Sequence, residues 1–76
     1  MKDLVEFIAK SIASKPDEVT VTEEINDEDV TVIKLEVAAE DKGKVIGRQG
    51  RVAQSIRVLL RVSAVKSGTK AILEIV

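Results

Sequence analysis

Across residues 42–66 the sequence carries a helical pattern that breaks once, at Gly47-Arg48-Gln49-Gly50. Two helices therefore stand between an alternating, strand-like segment at residues 30–38 and another at residues 70–76. A connection of that kind is too long for a hairpin. It makes the two strands parallel neighbours, joined by a right-handed crossover. No other feature of the chain narrows its fold as much.

The remaining segments complete the pattern. Residues 3–14 read as a helix, with Leu4, Phe7, Ile8, Ser11 and Ile12 at the spacing of one face and Asp3 near the positive end. Lys15-Pro16-Asp17 ends it, because the residue before a proline avoids helical geometry. Val19 and Val21 alternate with Thr20 and Thr22 as a strand, and the polar turn Asn26-Asp27-Glu28-Asp29 returns the chain as an antiparallel hairpin. In the second strand Ile33, Leu35 and Val37 are expected to face the core. Asp41 reads as an N-cap for a short helix over residues 42–46. Gly68 reads as the C-cap of the helix over residues 51–66. The order is helix, strand, strand, helix, helix, strand. It predicts one α+β domain over residues 1–76, a mixed three-stranded sheet with helices packed on one face.

Composition removes several function classes. The chain has no Cys and no His, which takes away disulfides, thiolate metal sites and the commonest general base. No carboxylate pair or metal-ligand spacing stands out, so neither an enzyme nor a metal or cofactor protein is expected. No run approaches the ~18 apolar residues of a membrane span, and acids interrupt the apolar N-terminal stretch, so a cytoplasmic protein is expected. Phe7 is the sole aromatic residue, too few for a base-stacking platform of the RRM or cold-shock kind.

Net charge is −1, yet the charge is sorted along the chain. Residues 1–41 hold twelve acids and four bases, a net −8. Residues 42–76 hold eight bases and the single acid Glu74, a net +7. The basic part can attract phosphate while the acidic part repels it from the wrong surface. Folding could also intermix the two into an ordinary solvated surface.

The Gly47–Gly50 loop lies in the basic part. Glycine allows a tight turn and close approach of a ligand backbone. Gly50 opens a helix whose first N–H groups lack intrahelical partners and favour an anion. Arg48 and Arg51 add charge, and Gln49 adds neutral hydrogen bonding. The plainer reading is a helix–turn–helix corner with polar residues for solubility. Other phosphate loops fit poorly: a P-loop needs four residues between its glycines and then Lys-Ser or Lys-Thr. Gly43 and Gly47 are separated by three, with Arg48-Gln49 following.

The stretch Gly43-Lys44-Val45-Ile46-Gly47-Arg48-Gln49-Gly50-Arg51 resembles the signature of the KH domain. The element order, with a helix and strand ahead of the core, resembles the type II KH arrangement. The opening Leu4-Val5-Glu6-Phe7-Ile8 and the Pro16 turn resemble the small bacterial single-KH RNA-binding proteins of the KhpA type. The resemblance implies a non-enzymatic, single-stranded RNA-binding protein, a chaperone or post-transcriptional regulator. Gly47, Arg48, Gln49 and Gly50 would clamp the backbone, with Arg51, Lys44 and Val45 alongside. About four nucleotides would lie in an adjacent apolar groove, with Val45, Val52 and Ile33 as candidate floor residues, although core packing explains each of the three at least as well. Arg48 stands where the family commonly has Lys, and Ala53 where many KH motifs have Ile. Few stacking groups imply micromolar affinity and low sequence specificity.

A second surface is legible on the long helix. Val52, Ile56, Leu59, Leu60 and Ser63 are expected to face the sheet, leaving Val58, Val62 and Val65 opposite. Valine is a mediocre helix former, so three on an exposed face imply either cover from the first helix or a protein interface. The family resemblance implies the interface: a homodimer, or a heterodimer with a larger KH-containing RNA-binding protein. The competing function is an assembly subunit whose RNA affinity is vestigial.

Overall fold

The computed structural model describes residues 1–76. Its elements are α1 (Lys2–Ile12), β1 (Thr20–Ile25), β2 (Val30–Glu36), α2 (Lys42–Ile46), α3 (Arg51–Lys66) and β3 (Lys70–Ile75). Single 3-10 turns at Pro16–Glu18, Ala39–Asp41 and Arg48–Gly50 link them. The sheet order is β1-β2-β3. β1 and β2 are antiparallel, with Val21 opposite Leu35. β2 and β3 are parallel, with Ile33 beside Leu73. This is the expected α+β architecture, in the order of a type II KH fold, and the double-helix crossover makes β2 and β3 neighbours. β3 is left with a free outer edge.

Ile33 and Leu35 on the central strand are fully buried between Val5 and Ala9 of α1 and Ile56 and Leu60 of α3. Each such side chain contributes roughly 1.5–3 kcal/mol on leaving water. Val37 joins them, as its alternation predicts. At the hairpin, the Asn26 side-chain oxygen accepts the amides of Glu28 and Val30 and closes the turn.

Both long helices are rotated from the faces expected of them. On α1 the buried residues are Val5 and Ala9, supported by Met1, Ile8 and Ala13, while Phe7 is 72 % exposed. On α3 the buried stripe is Ala53, Ile56, Leu60 and Ala64. Leu59 is exposed instead of facing the sheet, and Ser63 and Val52 are only half-buried. The physical reason is size. Apolar residues surround α3 on nearly every side, so periodicity alone leaves its rotation loose. Placing two alanines against the sheet lets the helix approach closely enough for Ile56 and Leu60 to fill the core. α3 ends as expected, with Gly68 at φ +72° and the Thr69 amide donating to the Ala64 carbonyl at 2.8 Å.

Asp41 also departs from its expected role. It stands at the start of α2 but makes no capping hydrogen bond there. Its carboxylate has no solvent exposure and reaches across to the exit of α1. Oδ1 accepts the Ser14 amide and Oδ2 the Lys15 amide, each at 3.0 Å. These two hydrogen bonds, Ser14's first, hold the carboxyl below its usual 3.8 against the opposing effect of burial, and the nearby Lys44 charge adds to them. Asp41 thus ties the end of α1 to the helix that leads into the Gly47–Gly50 loop.

Candidate nucleic-acid interface

The loop between α2 and α3 is built from left-handed backbone. Gly47, Gln49 and Gly50 have φ of +78°, +57° and +73°. The Gly50 amide donates to the Gly47 carbonyl at 3.1 Å, and the Arg51 amide to the Arg48 carbonyl. The chain is wound into a knuckle with Arg48 and Gln49 exposed at its tip. Gln49 occupies a conformation that costs a non-glycine residue about 1–2 kcal/mol. Arg51 Nη2 donates to Gln49 Oε1 at 3.3 Å, leaving the Gln49 amide nitrogen free of any protein partner. Gly47 lies so close to Val52 that a Cβ there would sit 2.8 Å from the Val52 Cβ and backbone nitrogen. The start of α3 is therefore the wall against which the knuckle is pressed.

From this loop a groove runs along the free edge of β3. It begins beside Gly50, where Lys42, Ile46, Ala53, Arg57 and Ile75 line a depression of about 360 Å³. Ala53 leaves room there that a larger side chain would fill. The groove continues past Arg57, Leu60 and Leu73 and reaches Arg61, Ala71 and Ile72. Its floor is aliphatic and its helical wall carries arginines one turn apart. A strand edge adds unpaired backbone donors and acceptors to the same groove.

Charge is sorted on the surface as it is in the sequence. The five ion pairs of the protein use only Lys10, Lys15, Lys34 and Lys44 as cations. Arg48, Arg51, Arg57, Arg61, Lys66 and Lys70 enter none of them. These unpaired cations all lie on the loop, α3 or the start of β3. Such an arrangement can neutralise phosphates without first breaking a salt bridge.

The residues expected at the site divide into three groups. Gly47, Arg48, Gln49, Gly50 and Arg51 come together as the exposed knuckle. Lys44 points away from it: its ammonium donates to Ser14 Oγ and lies 3.9 Å from the Asp41 carboxylate. Val45 and Ile33 have no exposure and belong to the core, so neither can floor a groove. Val52 is half-buried and supports Gly47. The correction has a simple cause, since adjacent residues on a helix face different ways. Lys42 and Ile46, four apart, face the groove, whereas Lys44 and Val45 between them cannot. Lys42, Ile46, Arg57 and Arg61 join the site without standing out in the sequence, where the four-residue spacing of each pair is the one signal that marks them.

Val58, Leu59, Val62 and Val65 form an exposed apolar stripe on α3, each at least 44 % exposed. The first helix does not cover them. The stripe includes Leu59, which sequence periodicity had assigned to the sheet.

A mixed sheet in the order αββααβ, with a glycine-bracketed knuckle between the two crossover helices, defines a KH domain of type II. The comparisons with known proteins agree. A family model described as KhpA/KhpB, KH domain, matches residues 2–75. The chain is 46 % identical over 76 residues to the RNA-binding protein KhpA of Clostridium perfringens, covering all of both chains. It is 47 % identical to the protein of that name from Clostridium acetobutylicum, again over the whole of both. The RNA-binding protein KhpA of Treponema pallidum is 44 % identical over 75 residues, 99 % of this chain and 92 % of the relative. No solved structure matches the chain. The chain belongs to the KhpA/KhpB KH-domain family. No helix is long and apolar enough to cross a membrane.

Proposed function

We propose that this protein is a non-enzymatic binder of single-stranded RNA in the bacterial cytoplasm, acting as an RNA chaperone or post-transcriptional regulator. The observation that carries this reading is the Gly47–Gly50 knuckle opening onto an aliphatic groove walled by unpaired Arg57 and Arg61. In this role Arg48, Gln49 and the loop backbone hold phosphates while bases lie along the edge of β3. Cations position the strand without reading its sequence. With no aromatic residue lining the groove, affinity stays in the micromolar range. The relatives' name, RNA-binding protein KhpA, supports the same reading.

The exposed stripe on α3 favours a protein partner as well: a second copy, or a larger KH-containing protein, seated on Val58, Leu59, Val62 and Val65. RNA crosslinking and anisotropy of the native protein against an Arg48→Asp, Gln49→Asp double variant test the RNA reading. Loss of a charged contact and reversal of its sign weaken binding by about tenfold or more while the circular dichroism spectrum is unchanged. Unchanged crosslinking in the double variant, with partner capture dependent on the valine stripe, would leave the assembly-subunit reading in its place.

A further inference from the structure

Past Arg57 and Leu60 the groove continues toward the start of β3. At the beginning of β3 it opens into a further cavity of about 330 Å³. Val30 and Ile72 enter it from the open face of the sheet, and Ala64 and Val65 from α3. The cavity therefore wraps around the free edge of β3. Arg61, Ala71 and Ile72 line both this cavity and the middle of the groove, so the two are continuous. Its rim carries Arg61 and Lys70, neither of them in an ion pair. Lys70 stands beside Val30 in the strand register, which places a cation at the edge of the apolar floor. An apolar floor with two free cations at its margin suits a group that is flat and apolar on one side and anionic on the other.

We infer that this end pocket takes one further nucleotide of a bound RNA strand, its base against Val30, Val65 and Ile72 and its phosphate between Arg61 and Lys70. The inference rests on the RNA reading above and extends it. The strand held at the Gly47–Gly50 knuckle follows the edge of β3 and leaves through the pocket, so the footprint exceeds the four nucleotides of one clamp. The free edge of β3 offers a peptide strand hydrogen bonds, but a peptide leaves the two cations without an anion, which a nucleotide's phosphate supplies. Val65 also belongs to the apolar stripe and Ile72 also lines the middle of the groove, so Lys70 and Val30, which line only the end pocket, are the residues to change.

The test is anisotropy with labelled oligouridylates of four and eight nucleotides, on the native chain, Lys70→Gln, Val30→Ser and the loop double variant, each checked by circular dichroism. Lys70→Gln and Val30→Ser are each expected to weaken the longer complex roughly three- to tenfold and to leave the shorter within about twofold. Lys70→Gln should also lower the salt slope of the longer complex by about 0.7, the share of one single-strand phosphate. Equal weakening of both lengths, or of neither, overturns the end pocket. If the loop double variant loses both lengths while Lys70→Gln and Val30→Ser bind as the native chain does, the clamp stands and the pocket falls. If the loop double variant binds as the native chain does, the clamp falls. A native chain that binds neither length overturns both.

Discussion

Replacing Gly47 by alanine is expected to damage this protein far more than the same change at Gly50. The two residues bracket the same knuckle, yet their surroundings differ. Gly47 has φ +78° and ψ 173°, a region only glycine occupies readily. An added Cβ would overlap Val52 Cγ2 and stand 2.8 Å from both the Cβ and the backbone nitrogen of Val52. Val52 is in the first turn of α3 and packs against the core, so it cannot step aside without moving the helix. Backbone strain costs roughly 1–3 kcal/mol. Forced repacking adds about 1–3 kcal/mol. Gly50 has φ +73° and ψ 14°, ordinary left-handed helix, and its Cβ would meet nothing within 4 Å. Only the left-handed penalty of about 1–2 kcal/mol applies there. The unfolded chain's lower entropy offsets roughly 0.4–1 kcal/mol in both variants and so cancels from the comparison. The expected difference between the two variants is therefore about 1–4 kcal/mol, a large part of the stability of so small a domain. Urea unfolding followed by far-UV circular dichroism measures it, since the chain has neither Trp nor Tyr for a fluorescence signal. Equal midpoints for the two variants would refute the argument that Val52 is a fixed wall. A Gly50→Ala protein that stays folded then reports what the knuckle's shape contributes to RNA binding.

Three further outcomes follow from the same geometry. Because the Asp41 carboxyl is held below 3.8 in the folded state, its contribution is complete above the unfolded value and is lost as pH falls through the folded one. Acid titration of stability should therefore show a fall below about pH 4 that is smaller in Asp41→Asn, a variant already less stable at neutral pH; parallel acid curves would remove Asp41 as the tie between α1 and α2. Gln49→Gly relieves the one non-glycine left-handed position of the knuckle and should raise stability by about 0.5–1 kcal/mol, read as a rise in Tm, while weakening RNA binding through the lost side chain. Val58→Glu with Val62→Glu should leave the fold within about 0.5 kcal/mol of native stability and abolish self-association in analytical ultracentrifugation; an unfolded product would mean that the stripe is core.

Much of the fold is legible in the residues. Pro16, the Asn26–Asp29 turn, the Gly47–Gly50 break and Gly68 punctuate the chain, and each marks an element boundary through a local backbone preference. The knuckle is legible for the same reason, because its glycines supply backbone angles that other residues resist. The rotation of α1 and α3 is not. Apolar residues on several sides of α3 satisfy more than one amphipathic face, and volume against the sheet chooses among them, which is why Ala53 and Ala64 are buried and Leu59 is not.

Element order, the parallel crossover, the exposed Arg48-Gln49 tip and the separation of acidic from basic residues follow from the residues in order along the chain. Those properties depend on neighbours within a few positions or on simple sums along the chain. Tertiary structure alone decided that Asp41 joins α2 to an amide 27 residues earlier, that Lys44 and Val45 turn away from the site, and that the groove follows the free edge of β3. These depend on contacts between distant segments. No local preference encodes them, because each arises only when helix rotation and strand position are set by the packing of the whole core.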